Sequence, residues 1–346
     1  MKPAAAKPTP AAVVPAFLAG FLATWRHSLR ADCDRWLLLA AVLLLAATFL
    51  HPSLPMTRSA HELLIVLDIT QSMNVTDYAL AGRPASRLDF ARAALRRTLP
   101  DLPCGSRIGW AIFTEYRSFL LFAPVEVCTH EHELLATLER IDGRMAWSGN
   151  SEIAKGVHGA LKMARSLPGK PAIVFISDGH EAPPLNPRHR PQFDGKAGEV
   201  RGLIVGTGGL VAAPIPKFDA DGRPLGVWNA NEVMQADAYS QGRGGSVAGE
   251  QMVETDPADP AVAGAIGPPG AEHLSALHEG YLKLLASETG LHYLRLDGDN
   301  DGLRAALLDP QLGIDVAGQF DLRLPLAALA LVAFLAVFAG RRTARA

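Results

Sequence analysis

Leu63-Leu64-Ile65-Val66-Leu67 runs directly into Asp68-Ile69-Thr70-Gln71-Ser72-Met73, so an apolar strand of buried character ends in one acid and two hydroxyls spaced two residues apart. A second apolar run, Ile173-Val174-Phe175-Ile176, ends the same way in Ser177-Asp178-Gly179. Between them, Gly149-Asn150-Ser151 stands just before a helical pattern. If the strands are parallel, all three segments lie on one edge of the sheet, the edge where open α/β sheets bind ligands. The residue types suit a hard cation: Mg²⁺ takes oxygen ligands in near-octahedral array at about 2.0–2.1 Å and keeps several waters. Neutral hydroxyls with carboxylates behind them supply such a shell.

The pattern resembles the von Willebrand factor A family, whose metal-ion-dependent adhesion site reads Asp-x-Ser-x-Ser, then a Thr, then an Asp. Asp68, Thr70 and Ser72 match the first element with Thr for the first Ser, Ser151 stands where the Thr is expected, and Asp178 fills the last place. Each departure keeps a hydroxyl. The resemblance covers roughly residues 60 to 315. It implies a Rossmann-like doubly wound α/β fold with a mostly parallel sheet and one antiparallel edge strand. It also implies that Thr70, Ser72 and Ser151 touch Mg²⁺, or another divalent cation such as Ca²⁺ or Mn²⁺, with Asp68 and Asp178 acting directly or through water. One coordination position would then be open to an Asp or Glu carboxylate of a partner protein.

Composition limits the alternatives. Of 346 residues, 33 are Lys or Arg and 35 Asp or Glu, with no basic tract in the middle of the chain, so the electrostatic footprint of nucleic-acid binding is missing. The length fits one large domain with extra segments. The boundaries expected are an N-terminal segment 1–35, a membrane span 36–56, an A domain 60–315, a second span 323–340 and a tail 341–346.

Trp36 to Leu50, extendable to Met56, and Leu324 to Gly340 are the apolar stretches behind those spans. A signal peptide competes for the first, but its long preceding segment and the lack of an Ala-x-Ala site favour an uncleaved anchor. A buried core helix competes for the second, against which stands the following Arg341-Arg342-Thr343-Ala344-Arg345. Lys2, Lys7, Arg26, Arg30 and Arg35 precede the first stretch, so the positive-inside rule expects both termini in the cytoplasm of a bacterial inner membrane and the domain in the periplasm. Ala11 to Trp25 reads as a helix lying on the membrane.

Cys104 and Cys128 flank two strand-like runs, Ile108–Phe113 and Ser118–Pro124, and lie equally far from Tyr116. A hairpin centred there brings them within bridging distance, and an oxidising compartment would preserve the bond. Two buried free thiols are the other reading, since a small register change separates them. Cys33 is expected to stay reduced.

The coarse order after the first apolar stretch is strand, helix, two strands, helix, strand, long loop, strand, loop, helix, strand, helix, span, an alternation that itself reads as α/β. Ser86-Arg87-Leu88-Asp89 looks like a capping box before the stripe Leu88, Phe90, Ala91, Ala94, Leu95. Ile153, Val157, Ala160, Leu161 and Ala164 make the next stripe, and Leu274, Leu277, Tyr281, Leu284 and Leu285 a later one. Residues 214–270, rich in Pro, Gly, Asp and Ala, form a long insertion with a hairpin around Asp219-Ala220-Asp221-Gly222.

Each sharp reading has a plainer rival. Ser151 also suits a helix N-cap. Asp68 and Asp178 could be solvated turn residues. Asp297-Gly298-Asp299-Asn300-Asp301-Gly302 opens like a calcium loop, but the twelfth position is Leu308, so a polar turn with Asp301 capping the helix 303–308 is expected. His130-Glu131-His132-Glu133 reads as a solvated helix start. Trp147 either borders the metal face or packs in a loop.

The function expected is a membrane-anchored, non-enzymatic binding module. The segment Pro214-Ile215-Pro216 and the Asp68–Met73 run are similar to those of bacterial membrane A-domain proteins of the aerotolerance and methanol-oxidation operons. That resemblance implies assembly or maturation of an envelope complex, alongside companion A-domain proteins and a MoxR-type AAA+ ATPase, with a periplasmic methanol or other quinoprotein dehydrogenase as one client. A metal-dependent phosphohydrolase is the rival class, because Asp68 follows a strand; that chemistry needs a second acid two residues on, where Thr70 stands. A structural scaffold whose site stays empty is the third reading.

Overall fold

The computed structural model describes residues 33–185, 189–219, 221–233, 252–254, 271–298 and 301–342. The expected surface helix at Ala11–Trp25, most of the insertion, Asp299-Asn300 and the tail after 342 lie outside them. In chain order the main elements are α1 (33–48), β1 (Ser53–Asp68), α2 (Arg87–Thr98), β2 (Arg107–Thr114), β3 (Arg117–Glu126), α3 (Val127–Arg140) and α4 (Ile153–Ser166). They continue with β4 (Ala172–Ser177), β5 (Gly202–Thr207), α5 (Glu279–Thr289), β6 (His292–Leu296), α6 (Asp301–Leu307), β7 (Gly313–Asp321) and α7 (Arg323–Arg342). The chain divides into two compact units, Met1–Thr57 with Ala317–Ala346, and Arg58–Val316.

In the larger unit one sheet runs in the order β6-β5-β4-β1-β2-β3, with β7 also pairing to β1. Every pairing along that order is parallel except β2 with β3, the antiparallel edge. Central position explains the sequence of β1: from Ala60 to Asp68 every residue is buried, because a parallel strand covered on both faces has no solvent side on which to place polar residues. Alternation still sorts the side chains. Leu63, Ile65 and Leu67 join a core with α2, α3 and α6, whereas Leu64 and Val66 join a second core with α4 and α5. The two faces together bury the apolar stripes expected on Leu88–Leu95 and Ile153–Ala164.

Local signals explain the helix starts. Ser86 caps α2 by accepting from Asp89 N at 3.0 Å and donating to Asp89 Oδ2 at 2.7 Å. Two helices, not one, connect β3 to β4. The first, α3, begins where β3 ends, capped by Glu126 on Thr129 N, and its exposed His130–Glu133 turn is the solvated helix start. The stripe expected from Leu274 to Leu285 is helical only from Glu279. Leu274–Ser275 instead pairs antiparallel with Ala213–Pro214, because the two ends of the insertion must close on each other.

Tight hairpin geometry brings the cysteines together. Thr114 pairs with Arg117 across a turn in which Glu115 has φ 59°, and Cys104 and Cys128 are joined by a disulfide with a Cα–Cα distance of 5.4 Å. The β2–β3 register shifts between Ile108 and Ala111, yet both cysteines lie in the segments flanking the strands and still meet.

The smaller unit holds the two apolar stretches in which spans were expected. Among the described residues no helix is long and apolar enough to cross a membrane. Among the described residues the first stretch is helical over 33–48, α1. Pro52 follows it, and the stretch Ser53–Met56 that had extended the span is strand, with Ser53 Oγ donating to Gln319 Oε1 at 3.3 Å. The second stretch lies inside α7, whose 20 residues run from Arg323 to Arg342 with arginine at both ends. The helices of this unit nevertheless expose large apolar side chains, among them Trp36, Val42, Leu43, Leu324, Leu331 and Val332.

Candidate metal centre

Two adjacent strands, β1 and β4, deliver Asp68 and Asp178 to the same carboxyl-end edge, and both acids are fully buried. Past Asp68 the chain turns at once: the Asp68 Oδ1 atom accepts from Thr70 N at 2.9 Å and from Thr70 Oγ1 at 2.7 Å. Its Oδ2 accepts from Ser177 Oγ at 2.7 Å. Past Asp178 the chain turns through Gly179 at φ 76°, where a Cβ would lie 2.9 Å from Leu282 Cγ, so glycine is required on both conformational and steric grounds.

The hydroxyls link the two acids. Thr70 Oγ1 and Ser72 Oγ are 3.3 Å apart, and Ser72 Oγ donates to Asp178 Oδ1 at 3.1 Å. Thr70 and Ser72 therefore hand their protons to the carboxylates behind them, which leaves hydroxyl lone pairs for a cation. Ser151 completes the set. Its backbone is clamped by paired bonds with Ala182, Ser151 N to Ala182 O at 2.6 Å and Ala182 N to Ser151 O at 2.8 Å. The N-cap of α4 is Glu152, one residue later, so Ser151 does no capping. Its Oγ is buried without a hydrogen-bond partner. A buried, unpaired hydroxyl is costly unless something binds it.

Thr70, Ser72 and Ser151 line one cavity of about 240 Å³, together with His180, Ile215, Trp228, Glu232 and Glu272. Three neutral oxygens there, backed by two buried acids, match the donor chemistry of a hard divalent cation. Trp147 is not part of the lining: it meets Phe119 edge-on at 4.8 Å and donates Nε1–H to Glu115 Oε2 at 3.2 Å.

The electrostatics separate the two acids. Burial first, then the neighbouring Asp178, pushes Asp68 up to about 7, against the hydrogen bonds from Thr70 and Ser177. For Asp178 burial is again the largest single cause and disfavours the anion, but the Arg87 guanidinium, together with His180 and the hydrogen bonds from His180 N and Ser72, holds the group below the ordinary carboxylate range. Arg87 Nη1 donates to Asp178 Oδ2 at 2.5 Å, and both side chains are completely enclosed. Ser275 Oγ adds a donor to the same oxygen at 3.0 Å. Asp178 Oδ2 is thus taken by protein, which fits a role for this acid through Oδ1 and Ser72.

Four residues around the site escaped the sequence reading: Ser177, Ser275, His180 and, behind Asp178 and outside the cavity lining, Arg87. His180 is buried, lines the cavity, and has no hydrogen-bond partner on either ring nitrogen; burial pulls it down to about 4. Arg87 did carry a signal, since it stands at the first position of a helix, where the positive end of the dipole disfavours a cation. An arginine there needs an anion close by.

Residues 63–180 match the family model of the von Willebrand factor type A domain. Solved structures similar to this chain include an aerotolerance-related membrane protein from Bacteroides fragilis, at 18% identity and a TM-score of 0.44, covering 72% of this chain and 98% of that one. BatB from Bacteroides thetaiotaomicron aligns at 18% identity and a TM-score of 0.43, covering 73% and 96%. The PilB minor pilin from Streptococcus sanguinis aligns at 14% identity and a TM-score of 0.36, covering 73% and 60%. No curated protein matches the chain.

Proposed function

We propose that this chain, which carries a von Willebrand factor type A domain, holds a divalent cation through Thr70, Ser72 and Ser151, and uses the remaining coordination position to capture an Asp or Glu carboxylate of a partner protein. Mg²⁺, which takes oxygen ligands and keeps several waters, is the first ion to test, with Mn²⁺ and Ca²⁺ as alternatives. The observation that carries the reading is the convergence of three hydroxyls on one cavity with the buried Ser151 Oγ left unpaired. When bound, the cation supplies a Lewis-acidic contact for the acid; the chain's own residues fix its position and exclude bulk water.

This is a binding module and not a phosphohydrolase. The position where that chemistry needs a second acid is Thr70, whose hydroxyl is already committed to Asp68. The exposed apolar side chains of α1 and α7 support attachment to a membrane, with the domain outside the cytoplasm, where the Cys104–Cys128 disulfide persists. In that setting the captured partner is an envelope protein under assembly. The similarity of the Asp68–Met73 run to proteins of the methanol-oxidation operons makes a quinoprotein dehydrogenase the client to look for, with companion A-domain proteins and a MoxR-type AAA+ ATPase as co-workers.

The test is a pull-down from solubilised membranes with the full chain, in Mg²⁺ and in EDTA, wild type beside Asp68→Ala. A partner kept only by wild type in Mg²⁺ supports the proposal. Retention indifferent to both changes sinks it.

A further inference from the structure

The glycine-rich turn Gly206-Thr207-Gly208-Gly209 has no part in the cation reading, and neither do the two ends of the insertion. Arg87 touches the turn and Ser275 at one end of the insertion, and Ser275 pairs with Ala213 at the other. The Arg87 guanidinium makes five hydrogen bonds: Nε and Nη2 to Asp77 Oδ2 at 2.9 and 2.7 Å, Nη1 to Asp178 Oδ2 at 2.5 Å and to Ser275 Oγ at 2.7 Å, and Nη2 to Ser275 O at 3.0 Å. The turn is shaped around this group. Gly208 has φ 126°, and a Cβ there would lie 2.8 Å from Arg87 Nε. Gly209 N donates to Asp77 Oδ2 at 2.8 Å, the same oxygen that Arg87 holds.

These contacts reach both roots of the insertion. Ser275 and Leu274 pair with Ala213 and Pro214, and Leu277 N donates to Gly209 O at 2.8 Å. On its other side Asp178 is tied through Ser72 to the hydroxyl loop. One planar side chain therefore connects the acid behind the cation position to both ends of the segment whose residues Ile215, Trp228 and Glu232 wall the cavity.

We propose that Arg87 is a positioning residue that couples occupancy of the cation site to the insertion: a cation that fixes Ser72 and Asp178 also fixes, through Arg87, the two roots at Gly209–Pro214 and Leu274–Leu277. The wall of the cavity is thereby set only when the cation is in place. The coupling needs the planar fork, because no other side chain can hold two carboxylates and a carbonyl in fixed directions at once. The inference rests on the cation reading and adds to it a route by which the ion shapes the surface that a partner meets.

The experiment is amide hydrogen exchange of the full chain with and without Mg²⁺, read on peptides covering 207–215 and 271–277, with Mg²⁺ uptake measured by calorimetry on the same samples. In wild type, Mg²⁺ should slow exchange in both root peptides on the order of ten-fold, a coupling within the usual range. Arg87→Lys, which keeps the charge but not the fork, should still take up Mg²⁺ and lose that protection; Gly208→Ala, which pushes the guanidinium away but also strains its own turn at φ 126°, should still take up Mg²⁺ and lose the protection of 271–277, the peptide remote from the substitution. Should Arg87→Lys fail to fold, Gly208→Ala carries the test alone. Mg²⁺ uptake by wild type with root exchange unchanged, or root protection retained in the folded variant, overturns the proposal for Arg87. No uptake by wild type overturns the cation reading itself.

Discussion

Ser72 and Asp178, on loops leaving two neighbouring strands, are joined by a 3.1 Å hydrogen bond from Oγ to Oδ1 that makes the hydroxyl loop and the acid behind it one unit. Ser72→Ala removes both the bond and a proposed ligand. Cation affinity should fall at least ten-fold by calorimetry with Mg²⁺ or Mn²⁺, and stability should fall by about 1.5–3 kcal/mol, the range for a hydrogen bond to a charged group. Unchanged affinity would remove Ser72 from the site.

The two acids should respond in opposite ways to an isosteric amide. Asp178→Asn leaves the enclosed Arg87 without its main counter-charge, a change that typically costs about 3–5 kcal/mol. Asp68→Asn removes a carboxyl that burial already pushes to about 7, so stability should stay within roughly 1 kcal/mol of wild type while cation uptake is lost. Urea titrations of both variants at neutral pH, with calorimetry alongside, check the contrast; equal destabilisation would contradict the charge assignment.

Glu181 gives the fold a pH dependence of its own. It is buried, accepts from Tyr281 Oη at 2.6 Å, and is held up at about 8, with burial the largest cause. The unfolded chain releases this proton near 4.5. Its contribution is therefore complete below that value and is lost as pH rises towards 8, with ~1.4 kcal/mol at stake per unit. Glu181→Gln keeps the acceptor for Tyr281 and has no proton to lose. Its stability should exceed that of wild type by a margin that widens from pH 5 to pH 8; parallel curves over that interval would refute the assignment.

The disulfide closes a loop with a sequence separation of 24. Loop-closure entropy alone makes its removal cost roughly 3 kcal/mol. The double variant Cys104→Ser with Cys128→Ser should show that loss in urea and keep its cation affinity, since neither cysteine lines the cavity.

How much of this was legible beforehand can be judged residue by residue. The apolar run Leu63–Leu67 identified a strand covered on both faces, and the matching run before Asp178 put the second acid on the same edge. Spacing alone thus gathered Asp68, Thr70, Ser72 and Asp178. Arg87 was read only as a member of a capping box, because its partners Asp77, Asp178 and Ser275 are distant in sequence and no local period connects them. Leu274 was assigned to a helix because its spacing to Leu277 and Tyr281 fits one, whereas strand pairing with Pro214 prevails at that position. The apolar stretch 36–56 showed hydropathy but not where strand pairing begins: it is helix to 48 and strand from Ser53, whereas 323–340 lies wholly within α7.

Gly208 is confined to hydrogen twice over, by its own φ of 126° and by a side chain far away in the sequence, and that places a constraint on descent. A lineage that fills position 208 forces the arginine out of its slot, while one that replaces Arg87 lifts the steric half of the constraint and leaves the backbone half in place. Arginine at 87 and glycine at 208 should therefore be inherited as a pair among relatives, and their joint loss should mark the branches in which the insertion no longer answers to the site beneath it.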